Sequence, residues 1–350
     1  MNNDAKVALY LPRQNNKTCN NIKVLAGDIG GTKTNLGLFE SADGKMKLLH
    51  ENTYHSNKFP TFTAIIHQFL LESENEKPDR ISIGVAGPVI NKMVKTTNLP
   101  WEIDAAILQK ETGAKEVALL NDLEANAYGL AGLENDDIIT IYEAKNDAKG
   151  NIAIIAPGTG LGEAGLFWDG KNYHPFATEG GHCNFSQQSD LDIEIYNYLQ
   201  KKYTIVSWEH LVSGPAIFTI YKFLRDVKKM EEPHWLEVRL NADDPSVVIS
   251  NTALEGLSDI CNETMKLFAR YLARESYNLV LKLKSTGGLF LGGGIPPKIL
   301  KYIQSDVFYE TFRQSDRMDE LISTVSIKLI NNSKTALIGA AYYGCFGERK

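Results

Sequence analysis

Two short glycine turns stand out first, because each follows an apolar, strand-like run. Val24-Leu25-Ala26-Gly27-Asp28-Ile29 ends on an acid, and Gly30-Gly31-Thr32 turns the chain before Leu36-Gly37-Leu38-Phe39 resumes it. Ile152-Ala153-Ile154-Ile155-Ala156 leads through Pro157 into Gly158-Thr159-Gly160-Leu161-Gly162. Glycines in a tight turn let backbone N–H groups reach an anion without Cβ obstruction, and a threonine hydroxyl adds a donor. Asp28 could hold Mg²⁺ beside phosphates, directly or through water. The first turn is not a P-loop, which needs G-x-x-x-x-G-K-[ST] leading into a helix, nor is it G-x-G-x-x-G. It joins two strands, so it would grip phosphate as a hairpin. Taken singly, each turn reads equally as a plain glycine hairpin. Their recurrence suits a nucleotide held between two domains.

Three polar groups add to this. Asn121-Asp122 follows the apolar run Val117 to Leu120, and strand ends are where ligands collect in open α/β sheets. Asp122 there could accept a proton from an attacking hydroxyl, with Asn121 orienting it. Asp122 reads as well as the N-cap of a helix beginning near Leu123. Glu179-Gly180-Gly181-His182 places an acid and an imidazole around two glycines, groups that recognise sugar hydroxyls; a solvated surface turn is the other reading. Glu209, before Leu211-Val212-Ser213-Gly214-Pro215, is by itself an ordinary acid near a helix start. Cys183 alone does not make a metal site of the second group.

The elements that must position these residues are α/β. Strands are expected at Val24–Ile29, Leu36–Phe39, Met46–Leu49, Ile81–Ala86, Val117–Leu120, Ile152–Ala156, Ala164–Trp168 and Gly288–Leu291. Phe62, Ile65, Ile66, Phe69 and Leu70 recur at helical spacing between Thr61 and Leu71, and a further helix is expected from about Asp104 to Glu111. Pro215 is pre-set for a first helical turn after Ser213. Leu254, Leu257, Cys261, Met265, Phe268 and Leu272 trace one face of a longer helix. Strand, Gly/Thr turn, strand occurs twice, a weak internal repeat.

Composition bounds the reading. The 350 residues exceed one usual core, so about two domains are expected. A net charge of −6 without a basic run argues against nucleic acid as a principal partner. An anionic ligand would then need a local device. Cys19, Cys183, Cys261 and Cys345 show no CxxC spacing, so neither a disulfide framework nor a zinc knuckle is expected. No run approaches the ~18 apolar residues of a membrane span, and a cytoplasmic location is expected. Residues 1–22, polar and Asn-rich, read as an extension of unknown role.

Together these segments resemble the bacterial glucokinase family. The series runs in order through Gly27-Asp28-Ile29-Gly30-Gly31-Thr32, Thr97-Asn98-Leu99-Pro100-Trp101, Asn121-Asp122-Leu123-Glu124-Ala125, Gly158-Thr159-Gly160-Leu161-Gly162, Glu179-Gly180-Gly181-His182, Ser213-Gly214-Pro215 and Gly292-Gly293-Gly294-Ile295-Pro296. The resemblance implies a two-domain actin-like (ribonuclease H-like) ATPase fold with a central cleft. The small domain would be 23–131 plus 334–350 and the large one 132–333. Carried over, Asp122 resembles the catalytic base for the sugar 6-hydroxyl. Asn121, Glu179, His182 and Glu209 resemble the remaining sugar ligands. Asp28 and Gly30-Gly31-Thr32 resemble the metal and phosphate side, joined by Gly158-Thr159-Gly160, and Gly293 belongs to a turn resembling the adenosine pocket. The implied cofactors are ATP and Mg²⁺, the substrate is glucose, and a homodimer is consistent with the resemblance. Lys33 stands where many bacterial glucokinases carry Asn and is more usual in the broader repressor–kinase sugar family. That relative carries a Cys-rich zinc motif after its E-x-G-H, whereas 184–203 here holds no cysteine, which favours the zinc-free glucokinases.

The expected reaction is transfer of the γ-phosphoryl group of ATP to glucose, with protein groups supplying position and charge. A kinase for mannose, glucosamine or N-acetylglucosamine is the first alternative, since those sugars differ from glucose at carbon 2. A sugar-sensing DNA-binding regulator is the second, and the short extension leaves no room for a helix-turn-helix.

Overall fold

The computed structural model describes residues 21–74, 76–96, 99–144 and 148–347. Residues 1–20 of the N-terminal extension, Thr97 and Asn98 of the family series, and the last three residues lie outside the described residues.

The chain opens on β1 (Ile22–Ile29), β2 (Lys33–Ala42) and β3 (Lys45–His55), then α1 (Phe62–Glu72) and β4 (Arg80–Val85). A small ribbon of β5 (Met93–Lys95) and β6 (Glu102–Asp104) leads to α2 (Ala105–Thr112), β7 (Glu116–Asn121) and α3 (Asp122–Gly129). Four strands follow: β8 (Ile138–Tyr142), β9 (Ile152–Pro157), β10 (Leu161–Trp168) and β11 (Tyr173–Thr178). Helices then take over, as α4 (Asp190–Gln200), α5 (Gly214–Asp226), α6 (His234–Ala242), α7 (Pro245–Leu254) and α8 (Asp259–Leu283). The chain ends through β12 (Leu289–Leu291), α9 (Leu300–Ile303), α10 (Asp306–Arg313), α11 (Asp319–Ser323), β13 (Ile327–Ile330) and α12 (Thr335–Phe346).

Two compact units result. The first takes in the described residues up to Asp137, residues 166–177, and those from Asn332 onward; the second holds 138–165 and 178–331. Residues 166–177, which the sequence groups with the larger domain, fall in the first unit.

In the first unit a five-stranded sheet has the order β3-β2-β1-β4-β7. The hairpin strands β1, β2 and β3 are antiparallel, and β1, β4 and β7 are parallel. Val24, Leu25 and Ala26 on central β1 are fully buried, the continuous apolar run of a strand covered on both faces. One cover is α1, whose Phe62, Ile65, Ile66 and Phe69 enter a core with Leu25, Leu36 and Ile83. The other is α12, with Leu337, Ala340 and Ala341 against Ala26 and Phe39. Thr61 caps α1 by accepting from Ala64 N–H at 3.2 Å. Asp104 caps α2 in the same way. On α12, a Cβ at Gly339 would collide with the Ala125 carbonyl, so glycine there sets how closely α12 and α3 approach.

The second unit holds β8, β9, β12, β13 and the start of β10 from a six-stranded sheet of order β11-β10-β9-β12-β13-β8. Its core gathers round α8, with Cys261, Met265, Phe268 and Leu272 buried beside Trp208, Tyr221 and Phe223. The single long helix expected from Leu254 to Leu272 is corrected here. Leu254 ends α7, Leu257 is 58% exposed in the connection, and only the residues from Cys261 onward share the α8 face. Gly256, at φ +72°, breaks the helical backbone between them.

Candidate active site

In the first unit Asp28 and Asn121-Asp122 gather at the C-terminal ends of the parallel strands. Register pairs Asp28 with Gly84 and Val85 with Asn121, so Asp28 and Asn121-Asp122 sit at matching ends of parallel strands two positions apart. At ordinary strand spacing that separates them by roughly 10 Å. Gly84 keeps the intervening strand low, since a Cβ there would press on Ala125 Cβ at 2.8 Å.

Asp28 is half-buried, and burial raises its carboxyl above the ordinary carboxylate range. Opposing this, Asn35 Nδ2 donates to Asp28 Oδ2 at 3.3 Å. Asn35 was not singled out from sequence; its only signal is the hairpin register, which places it across from Asp28. A desolvated carboxylate beside one neutral amide suits an arriving cation. Among the described residues no group of three or more His, Cys, Asp or Glu side chains could hold a metal. Mg²⁺ needs only one or two carboxylates when phosphates and waters complete its shell, so the fit is to a metal carried in by the nucleotide.

The turn Gly30-Gly31-Thr32 joins β1 to β2 as a hairpin, with Gly31 and Thr32 exposed. Ser56 holds it from behind. Its N–H donates to Thr32 O at 3.0 Å, and its hydroxyl, 3.0 Å from Thr34 Oγ1, donates to Gly30 O at 3.2 Å.

The N-cap reading of Asp122 is corrected. The N-cap of α3 is Asn121, whose Oδ1 accepts from Leu123 N–H at 2.9 Å and Glu124 N–H at 3.3 Å. Its Nδ2 donates to Gly87 O at 3.2 Å. Asp122 is the first helical residue, with Oδ1 accepting from Leu123 N–H at 3.0 Å.

The second unit brings its candidates together through one cross-connection. Asn184 bridges Ser207, and Trp208 N–H donates to Cys183 O at 3.1 Å. This ties the Glu179–His182 turn to the Trp208–His210 turn. Glu179 and His182 face solvent, with Nε2 of His182 4.0 Å from Glu179 Oε2. Glu209 reaches the glycine turn, where its Oε2 accepts from Leu161 N–H at 2.9 Å. A Cβ at Gly160 would collide with that carboxylate. The turn is closed further by Gly158 N–H on Gly160 O at 2.8 Å and by Gly214 N–H on Gly158 O at 2.7 Å. Ser213, which caps α5, donates to Glu209 O at 2.8 Å. Thr159 stays exposed at the tip.

Gly293, at φ +80°, is a position only glycine fills easily, and a Cβ there would meet Pro157 O at 2.5 Å. The Gly292–Gly294 turn therefore lies against Pro157, the residue preceding Gly158. His210 was missed in the sequence. It stacks on Tyr203 with ring centres 3.9 Å apart, and burial lowers its basicity, opposed by Glu209 and reinforced by His182.

The model of the glucokinase family matches residues 25–345. The chain belongs to the glucokinase family. It is 37% identical over 332 residues to the glucokinase of Nostoc punctiforme, covering 91% of this chain and 97% of that protein. To the glucokinase of Synechocystis it is 36% identical over 344 residues, covering 91% and 97%. Among solved structures, a glucokinase from an Antarctic psychrotroph superposes with a TM-score of 0.79 at 29% identity, covering 92% of this chain and 98% of that one. A ROK-family glucokinase from Streptomyces griseus, in complex with glucose and AMPPNP, gives a TM-score of 0.61 at 20% identity, covering 91% and 98%. The fold is the actin-like ATPase fold of these kinases. Within this glucokinase-family chain the motif residues thus form two local constellations, one in each unit.

Proposed function

We propose that this chain is a glucokinase, transferring the γ-phosphoryl group of ATP to the 6-hydroxyl of glucose. The observation that carries the reading is Glu209. Its carboxylate is bonded to the phosphate-type turn at Leu161 and tethered beside Glu179 and His182, so groups suited to a sugar and a turn suited to a phosphate belong to one network.

Asn121, Glu179, His182 and Glu209 bind and orient glucose through its hydroxyls. The N–H on Asn121 Nδ2 not directed at Gly87 remains for the sugar, because an amide nitrogen has two. Asp122 accepts the 6-hydroxyl proton as that oxygen bonds to the γ-phosphorus, and ADP departs with the electrons of the broken P–O bond. The substrate is MgATP: Asp28 meets the metal, Gly30-Gly31-Thr32 and Gly158-Thr159-Gly160 present N–H and hydroxyl donors to phosphate oxygens, and Gly293 backs the adenosine. Mg²⁺ supplies charge compensation at the phosphates. We place the protein in the cytoplasm, since Cys183 and Cys261 are free thiols, which suits a reducing compartment. No helix of the described residues is long and apolar enough to cross a membrane.

The test is ADP release from MgATP with glucose, mannose, fructose, galactose, glucosamine, N-acetylglucosamine or no sugar. Turnover with glucose well above the rest is expected. Preference for a sugar altered at carbon 2 would move the specificity, and sugar-independent turnover would overturn the kinase reading.

A further inference from the structure

Glu163 is the one inward-facing acid on β10, between the glycine turn and the strand centre, and it is only 1% exposed. Across from it stands Glu275 of α8, completely buried, and the two carboxyl groups lie within hydrogen-bonding reach of each other. Asn278 Nδ2 donates to Glu275 Oε2 at 2.8 Å, and Lys282 Nζ meets Glu275 Oε1 at 3.2 Å. The ionisable groups acting on Glu163 are thus Glu275 and Lys282, both from α8. The β11 side presents neutral Thr178 and Gly180.

Two buried carboxyl groups face one ammonium, so charge balance calls for one proton. Two adjacent carboxylates in a dry site cannot both ionise without a large penalty. Glu163 Oε1, moreover, is buried with no hydrogen-bond partner, a costly arrangement for an anion and a tolerable one for a neutral acid.

The sugar-side segment is draped directly over this pair. Thr178 Oγ1 donates to Glu163 O at 3.1 Å and accepts from Gly180 N–H at 3.2 Å. A Cβ at Gly180 would collide with the Glu163 carboxyl, and one at Gly181 with the Leu161 carbonyl. The two glycines of Glu179-Gly180-Gly181-His182 are therefore there to let the segment lie on β10 and its buried acid.

We propose that Glu163 and Glu275 hold a single proton between them and act as a positioning pair for the Thr178–His182 segment. Its bearing on glucose rests on the reading of Glu179 and His182 as sugar ligands. While the proton is in place the pair is compact and the segment seats on it. Loss of the proton puts a second negative charge beside Glu275, drives the carboxylates apart, and pushes Glu163 against Gly180. Burial, with Glu275 second, pushes Glu163 up to about 8, which sets where this happens.

The test measures kcat and the glucose KM across the pH range on both sides of about 8 for the wild type and Glu163→Gln. Amide hydrogen exchange of Gly180–His182, corrected for intrinsic chemical rates, is followed over the same range. Gln keeps the shape of the neutral acid and donates to Glu275. Above that pH the wild-type KM should rise about tenfold per unit with kcat much less affected, as expected when only the protonated form binds. Exchange of the segment should quicken in parallel. Glu163→Gln should hold a low KM and slow exchange throughout. A wild type flat in both readouts overturns the pair, and its exchange decides this even if the variant does not fold. The same alkaline rise in Glu163→Gln as in the wild type also overturns it. Exchange that loosens in the wild type and not in the variant, with glucose KM unmoved, upholds the pair and overturns the assignment of Glu179 and His182 to the sugar.

Discussion

The first unit presents its chemistry at the ends of strands, whereas the second builds its polar groups into an interlocked network. Asp28 and Asp122 owe their places to β1, β7 and the start of α3, and each is held by bonds from close along the chain. Glu209 is bonded to Leu161, 48 residues away, and its own segment is tied to the Glu179 turn and to the start of α5. Even the two glycine turns differ in this way. Ser56 braces the first with a neutral hydroxyl, while a carboxylate and the N-terminus of a helix brace the second. The bonds described at Asp28 and Asp122 thus run to Asn35 and Leu123, inside the first unit. In the second, one substitution reaches several functions at once.

That contrast makes measurable claims. Asp122→Asn should lose about 10²–10⁴-fold in kcat, the usual share of a general base, while glucose binding measured by calorimetry persists. Full turnover in that variant would remove Asp122 from the mechanism. Glu209→Ala should raise the KM for glucose and for MgATP together, each by about 10–100-fold, because a charge-assisted bond to Leu161 is lost along with a sugar contact. A change confined to glucose would mean that the network does not couple the two sides.

The buried pair gives the second unit a pH-dependent stability of the same sign as the one that Asp28 gives the first. A carboxyl raised from its ordinary 4.5 to about 8 in the folded protein binds its proton more tightly there than in the unfolded chain. The stability it contributes is therefore complete below the ordinary value and is lost as pH rises through about 8. Urea unfolding at a series of pH values should show this decline, and Glu163→Gln should flatten it. An equal decline in the variant would assign the slope elsewhere. The smallest effect is expected from Ser56→Ala, which removes one buried hydroxyl brace of about 1 kcal/mol and should raise the MgATP KM about fivefold with glucose KM unchanged. A comparable rise in glucose KM would show the first turn to be as interlocked as the second.

Much of the frame is legible along the chain because it is local. The apolar run at Val24 to Ala26, the helical spacing from Phe62 to Phe69, and the Ser213–Pro215 helix start all act through near neighbours. The break at Gly256 was hidden because Leu254 and Leu257 keep the right spacing for a helix that the backbone does not make. Asn121 and Asp122 are both good caps, and only the path of α3 chooses between them.

The amino-acid sequence by itself determined the α/β alternation, the two glycine hairpins and the ordered series of motifs that places the chain among glucokinases. Each follows from residue type and short-range spacing. Tertiary structure alone decided that Asn35 meets Asp28, that Glu209 braces Gly160, and that Glu163 lies buried against Glu275, 112 residues further on. The physical reason is that strand register and helix packing set these meetings, and a carboxyl's proton depends on the charge and dielectric that distant segments bring to it.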